Sequence, residues 1–413
     1  MAGWLIVADD LTGAADCAIA FGRRGRAAAV TWGDDASDHR LPVLAYDAAS
    51  RGLSAEDAAR RHGDVLARLA RPGQRLFKKI DSTLRGQPAA ETAATIAHLA
   101  QSGPAFGVFA PAFPATGRTT VDGRILVQGR PLEQAEVWQR DHSYASADLA
   151  DVLATAAVRS EKVALATVRG PDLKDTLARL AAEGNIVAIC DAETEQDLHL
   201  IAAASSSVSP APFFIGSAGL AHALAGLEAA ETGETLRIPA NACGTLIVVG
   251  SLAGASRSAA RALQASGSVR HFPVAPEMLL GQDHDISAAL AAEVTAHLAQ
   301  GGDALVEITM TDHPDMRLGT QLANNLADAL QTVAPAVGAF AATGGETAAA
   351  LLARFGVNGI RLADEIEPGV SLGLTLGQMT VPIATKAGAF GDAHSLIRIS
   401  ERLRAIRTRG SFS

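Results

Sequence analysis

The chain has 413 residues, 48% of them hydrophobic and only 4% aromatic, with a formal net charge of −9. That length fits roughly two to three domains with ample apolar material for large cores. The acidic balance argues against a nucleic-acid partner, which selects a basic face, so an anionic ligand must be held by local Lys and Arg. Three distant cysteines, Cys17, Cys190 and Cys243, offer neither a disulfide framework nor a Cys-x-x-Cys metal signature. Their apolar or small-residue surroundings read as buried thiols. No apolar run is long enough to span a bilayer, and the first one ends at two aspartates, unlike a signal peptide. The expectation is a cytoplasmic protein without a membrane partner, open to homo-oligomerisation.

In chain order, Trp4–Ala8 reads as a buried strand, and Asp9–Ala14 as the loop into a helix stopped by Gly25. Ala27–Thr31 and Val43–Ala45 are short apolar runs of strand type. Ser54 is an N-cap for a helix to about Ala70. Leu76–Ile80 is a strand, and Pro88 opens a helix through Glu91–Ala100. Phe106–Ala110 follows as a strand. This alternation predicts βαβ units and a parallel sheet. Pro111–Arg118 interrupts it, and Asp122-Gly123 marks a hairpin within Thr119–Pro131. Strands are then expected at Val163–Thr167, Ile186–Cys190 and Phe213–Ile215. Helices are expected at Asp172–Ala182, Glu195–Ala204 and Leu220–Leu227.

Glu228–Asn241 is polar and lacks a sustained period, which suits a connection between domains 1–230 and 241–413. A second βα series begins at Thr245–Val249, with a helix from about Ala255 to Gln264. Strands at Ala304–Thr309, Ala339–Ala342, Leu372–Leu376 and Val381–Lys386 and helices at Leu318–Val333, Glu346–Phe355 and Ala393–Arg404 complete it. The predicted fold class is α/β, with two domains. Each has a largely parallel sheet flanked by helices, and a ligand cleft between them is expected.

Six junctions carry chemistry. In Asp9-Asp10-Leu11-Thr12-Gly13-Ala14, two carboxylates sit where a strand ends. One suffices to cap the next helix; the pair also suits hydroxyl binding or proton acceptance. Phe77-Lys78-Lys79-Ile80-Asp81-Ser82-Thr83-Leu84-Arg85-Gly86 is the densest stretch. The Arg85 fork matches a carboxylate bidentately, and strand alternation turns only one of Lys78 and Lys79 toward a ligand. With Asp81, Ser82 and Thr83 it describes a site for a small polyhydroxy acid. Pro111–Thr120 reads equally as a rigid connection or as a second anion contact through Arg118.

The other three lie in the second half. Phe340–Ala348 runs from a strand through Gly344-Gly345 into a helix, a phosphate-binding arrangement. The alternative is a plain tight turn. Lys386 at a strand end, followed by Gly388 and Asp392, suits phosphate and Mg²⁺ contacts. Val249–Ser256 is a further strand–loop–helix junction able to line a nucleotide pocket. No Walker A motif and no Gly-x-Gly-x-x-Gly occurs. Asp283-His284-Asp285 and Asp312-His313-Pro314-Asp315 read as surface turns, not metal sites.

These motifs, in this order, resemble the four-carbon acid sugar kinase family. The matching strings are Val7–Ala14, Lys79–Gly86, Pro111–Arg118, Gly216–Ala221, Gly250-Ser251, Thr343–Ala348 and Thr385–Asp392. The resemblance implies an N-terminal domain for the sugar acid and a C-terminal domain for ATP. It also implies γ-phosphoryl transfer to the terminal hydroxyl of a tetronate such as threonate, erythronate or 3-oxo-tetronate. Carried over, the acceptor residues are Asp9, Asp10, Lys79, Asp81, Ser82 and Arg85. The nucleotide residues are Ser251, Gly344, Gly345, Glu346, Thr347 and Gly388. The chain departs from the family pattern at Ala253, often a Ser, and at Lys386-Ala387-Gly388-Ala389-Phe390-Gly391, usually Lys-Pro-Gly-Gly-Phe-Gly. The resulting expectation is an ATP-dependent sugar acid kinase with Asp81 or Asp10 as base, Lys386 at the phosphates, and Mg²⁺ helped by Asp392. A kinase for another small hydroxy acid such as glycerate, or a non-catalytic sugar-acid sensor, is the alternative.

Overall fold

The structure is a computed structural model that describes residues 3–33, 41–140, 142–230, 236–251, 253–281, 284–309, 318–388 and 390–412. The chain divides into two compact units. One comprises Met1–Ala28 and His39–Thr232, the other Ala29–Asp38 and Gly233–Ser413. Part of the expected connection, 231–235, lies outside the described residues.

The strands are β1 (Trp4–Ala8), β2 (Ala28–Thr31), β3 (Val43–Asp47), β4 (Arg75–Lys79) and β5 (Phe106–Ala110). Next come a small antiparallel sheet of β6 (Arg118–Val121), β7 (Arg124–Val127) and β8 (Arg130–Pro131), then β9 (Ser160–Val163), β10 (Ile186–Cys190) and β11 (Phe213–Gly216). The rest are β12 (Thr245–Val249), β13 (Arg270–Val274), β14 (Ala304–Ile308), β15 (Ala339–Thr343), β16 (Val357–Glu367), β17 (Val370–Gly377) and β18 (Pro382–Lys386).

In the first unit the order is β3-β1-β4-β11-β5-β10-β9, parallel throughout. Helices cover both faces of such sheets, so its central strands read as unbroken apolar runs. Trp4–Ala8 and Ile186–Cys190 are fully buried along their length. Its core joins Leu5, Val7, Phe109 and Ile189 from the strands to Leu66, Leu69 and Leu153 from helices. The chain leaves β1 for β3 on one side and reaches β4 on the other. That order reversal puts a crevice at the carboxyl end of β1, where open α/β sheets bind ligands.

The second unit has β13-β14-β12-β15-β18 in parallel, followed by antiparallel β17 and β16. Residues Ala29–Thr31 of β2 add to β16, again antiparallel. Here the reversal falls between β12 and β15, with the β12, β15 and β18 ends side by side.

The α/β alternation, the parallel sheets and the Asp122-Gly123 hairpin agree with the sequence. Asp122 and Gly123 both take positive φ, 52° and 70°, as a two-residue hairpin turn requires. Val163–Thr167 does not form the expected strand: β9 ends at Val163, and Leu165–Val168 is a helical turn. β13 and β16 carry too mixed a pattern to be seen as strands. The cysteine expectation holds for Cys17 and Cys190, whose burial pushes both thiols up; Cys243 is only half-buried. His284 and Asp285 open the His284–Ala299 helix rather than a loop, while Asp283 and 312–315 lie outside the described residues. No described helix is long and apolar enough to cross a membrane.

Candidate active site

The first cluster forms at the crevice beside β1. After β3 the chain folds back over the end of β1: Ala48 N–H donates to Ala8 O at 2.9 Å and Ser50 N–H to Asp9 O at 3.1 Å. This return delivers Arg51 to the aspartate pair. Its Nε donates to Asp9 Oδ2 at 2.7 Å and its NH2 to Asp9 Oδ1 at 3.1 Å, a bidentate grip. Its NH1 donates to Asp10 Oδ2 at 3.0 Å, and its NH2 lies 3.8 Å from Asp81 Oδ1. Nothing in the sequence motifs points to Arg51, because only the neighbouring positions of β3 and β1 bring it there.

Asp10 caps the Leu11–Gly22 helix, accepting from Gly13 N–H at 3.1 Å, and also binds the Thr12 hydroxyl at 2.7 Å. Burial opposes its charge, but Arg51 and Lys79 outweigh that and hold the carboxyl below its ordinary range. The capping reading of Asp10 is therefore realised, and its second oxygen faces Arg51 and Thr12. Gly13 has no room for a side chain: a Cβ there would sit 2.5 Å from Asp10 Oδ1 and from Lys79 Nζ.

The two lysines part as strand alternation requires. Lys78 turns into the core, where its ammonium pairs with Glu91 and donates to Lys79 O at 2.7 Å. The Ser50 hydroxyl also donates to Glu91. Lys78 is thus structural. Lys79 faces the aspartates; burial depresses its charge, and Asp10 more than restores it.

Beyond β4, Leu84 adopts a left-handed φ of 60° and is fully buried. A branched residue held there stores strain, a feature that clusters at functional loops. Gly86, with φ 81°, lets the loop close on the first motif; a Cβ on it would lie 3.1 Å from Asp9 Oδ2. The Arg85 fork, expected to grip a substrate carboxylate, instead closes on Asp81, Nε to Oδ2 at 2.9 Å and NH2 to Oδ1 at 3.0 Å. Asp81 also accepts from the Thr83 hydroxyl. Burial raises its proton affinity, but Arg85 and Arg51 hold it well below the usual carboxylate range. Ser82 is buried within the same loop. Arg118 is buried too, and burial lowers its proton affinity.

Asp47, also missed from sequence, completes the group. It ends β3 in register with Ala8 of β1, is 5% exposed, and accepts from Ala49 N–H at 2.7 Å through Oδ1. Burial pushes it up to about 7, helped by Asp10 and Asp9 and opposed by the Ala49 N–H and Arg51.

The second cluster lies where β12, β15 and β18 end. Gly344, with φ 90°, turns β15 into the ten-residue helix Gly345–Arg354, and its N–H donates to Lys386 O at 3.0 Å. Thr347 is buried against Gly250, where a Cβ would strike its side chain. At Gly388 a Cβ would strike the Ser251 hydroxyl, so glycine there keeps the backbone open to a close-lying group. Ser256 links the two sides, donating to Gly388 O at 2.9 Å and accepting from Lys386 Nζ at 3.3 Å. Lys386 is 1% exposed, and burial brings its ammonium down to about 8. Glu346 is exposed and accepts from the Thr320 hydroxyl at 3.1 Å.

A helix N-terminus, glycine-lined backbone and a buried lysine are donors that fit a polyphosphate. Asp392, expected beside Mg²⁺, does not fit a metal ligand. Its side chain is 64% exposed, and Oδ1 already accepts from His394 N–H at 2.8 Å and Arg398 NH2 at 2.9 Å.

Two family models match the chain. The one described as a sugar-binding N-terminal domain covers residues 4–224, and the one described as a nucleotide-binding C-terminal domain covers 246–396. A D-threonate kinase of Cupriavidus necator is 41% identical over 405 residues, 95% of this chain and 96% of that protein. A D-threonate kinase of Bordetella bronchiseptica is 36% identical over 417 residues, 97% and 98% of the two chains. Among solved structures, a Salmonella typhimurium LT2 protein shares the fold with a TM-score of 0.80 at 22% identity, covering 98% of this chain and all of that one. With both halves matched and its motifs in place, the chain belongs to the four-carbon acid sugar kinase family.

Proposed function

We propose that this protein transfers the γ-phosphoryl group of ATP to the terminal hydroxyl of a four-carbon sugar acid, with D-threonate as the preferred acceptor. The observation that carries the acceptor assignment is the crevice beside β1, where Asp9, Asp10 and Asp81 meet Arg51, Lys79 and Arg85. Alternating carboxylates and cations suit a ligand with hydroxyls along its length and a carboxylate at one end. The D-threonate kinase relatives support the stereochemical choice.

In this reading residues 1–230 take the acid and 241–413 take ATP. Arg51 and Lys79 supply positive charge for the substrate carboxylate. Asp9, Asp10 and Ser82 accept from or donate to its hydroxyls. Asp81, locked by Arg85, shapes the loop and orients Arg51. Gly344, Gly345, Thr347, Gly388, Ser251 and Lys386 hold the phosphates, and Glu346 stands at the helix start. Mg²⁺ would accompany the nucleotide and neutralise phosphate charge, and Asp392, whose Oδ1 accepts from Arg398 NH2, is not assigned to it. Phosphoryl transfer then needs chiefly alignment and charge neutralisation.

An ADP-release assay over D-threonate, L-threonate, both erythronates, 3-oxo-tetronate and glycerate tests the proposal. We expect kcat/KM for D-threonate to exceed the others by at least about tenfold, the scale set by one misplaced hydroxyl in a polar site. Acid binding without ADP release from any of them identifies a sensor instead. A preference for glycerate moves the chain to another hydroxy acid.

A further inference from the structure

Four carboxylates gather where β1, β3 and β4 end in the first unit, and three of them are paired with arginines. Asp9 and Asp10 each have an Arg51 nitrogen within 3.0 Å, and Asp81 has Arg85 Nε at 2.9 Å. Against burial, Arg51 beside Asp10, and Arg85 and Arg51 beside Asp81, hold those two carboxyls below the ordinary range, which blunts them as proton acceptors. Asp47 differs. Among the described residues it has no ion pair, and the Ala49 N–H is its one hydrogen-bond donor, to Oδ1. Ala49 holds that bond from a left-handed φ of 47°, an arrangement costly for alanine. The turn it belongs to is the same one that carries Arg51 to Asp9.

We propose that Asp47 is the general base of the acceptor site, an assignment that rests on the kinase reading above. Its carboxylate takes the proton of the terminal hydroxyl as an oxygen lone pair forms the new O–P bond. The bond from the γ-phosphorus to the bridging oxygen breaks, and ADP leaves with that electron pair. The proton passes from Asp47 to water after product release. Proton acceptors work best when their affinity lies near the working pH. The groups acting on Asp47 are Asp9 and Asp10 from the β1 end and Arg51 from its own turn, and burial dominates all three. Asp10 and Asp81, the carboxylates expected from sequence to take the proton, keep positioning roles.

Asp47→Asn is close to isosteric and still accepts the Ala49 N–H through its amide oxygen. It also removes a carboxylate that burial disfavours. A carboxyl raised in the folded state costs stability as pH climbs from the unfolded range, near 4, through its folded value, and that cost is full above it. Asp47→Asn is therefore expected to melt at or above the wild-type temperature at pH 8.

The experiment measures kcat/KM for D-threonate from pH 5 to 9 in wild type, Asp47→Asn and Asp47→Glu, with acceptor affinity by calorimetry. The wild-type rate should fall below about pH 7. Asp47→Asn should lose roughly 10² to 10⁴ in kcat, lose the acidic limb, and bind acceptor within about threefold. Asp47→Glu should keep a limb, displaced in pH. A flat wild-type profile overturns the assignment, whether or not the variants fold. So does an Asp47→Asn enzyme that keeps the limb or loses less than tenfold. If wild type releases no ADP with any tetronate, the kinase reading itself fails, and this outcome is distinct from either.

Discussion

Arg51→Met should lower the melting temperature by roughly 10 °C and abolish measurable turnover. Arg51 is the counter-ion for two buried carboxylates, Asp9 at 2% side-chain exposure and Asp10 at 13%. Removing one partner of a buried pair leaves an uncompensated charge and costs about 3–5 kcal/mol. For a unit of this size each kcal/mol moves the midpoint by roughly 2–4 °C. Asp10 keeps its Gly13 and Thr12 bonds, so the loss should sit at the lower end. Without Arg51, Asp10 loses its leading cation, and its proton affinity should rise toward the ordinary value. A second variant separates stability from chemistry. Asp9→Asn combined with Arg51→Met removes charge from both sides and should recover much of the melting temperature. It should remain inactive, because the cation proposed for the acceptor carboxylate is still absent. Differential scanning calorimetry and ADP release on the two variants check both halves.

Lys386→Met should cut kcat/KM for ATP by roughly 10² to 10³, the scale for losing one preorganised donor to a developing phosphate charge. The ammonium is nearly inaccessible, and among the described residues its hydrogen-bond partners are the Ser256 hydroxyl and Ala387 O, both at 3.3 Å. Glu367 acts on it only weakly against burial. The charge is thus kept in a site that disfavours it. The folded value, about 8, lies below the unfolded lysine value. The destabilisation is therefore present below pH 8 and fades as pH rises from there toward the unfolded value. Lys386→Met should be at least as stable as wild type at pH 7 while using ATP far less well, a trade typical of functional residues. In wild type, kcat/KM for ATP should fall above about pH 8 as Nζ deprotonates in the free enzyme. Lys386→Arg should keep its charge and lose that limb. An unchanged ATP response in Lys386→Met removes this lysine from the phosphate site.

The parallel sheets were legible because buried strands such as Trp4–Ala8 and Thr245–Val249 are almost wholly apolar runs between helical segments. β16 was not, since it holds no regular alternation and its second half, including Asp364, Glu365 and Glu367, is only half-buried. An antiparallel strand of this kind shares its polarity with a loop. At the site, Asp9, Asp10, Lys79, Asp81 and Arg85 could be picked out because they crowd into two short junctions. Their partners could not. Arg51 and Asp47 belong to an unremarkable turn, and only the β3–β1 register brings them to the aspartate pair. Sequence could place Arg85 and Asp81 four residues apart but not show that the fork closes inward. In the second unit Lys386 stood out at a strand end, whereas Ser256, its link to Gly388, lies 130 residues earlier.

The product of the reaction is the most direct measurement. Wild-type enzyme incubated with ATP, Mg²⁺ and D-threonate should yield one phosphate ester per ADP. Proton-coupled ³¹P NMR should place it on the terminal carbon, split by two protons. An ester on a carbon bearing a single proton, or inorganic phosphate in place of an ester, contradicts the account.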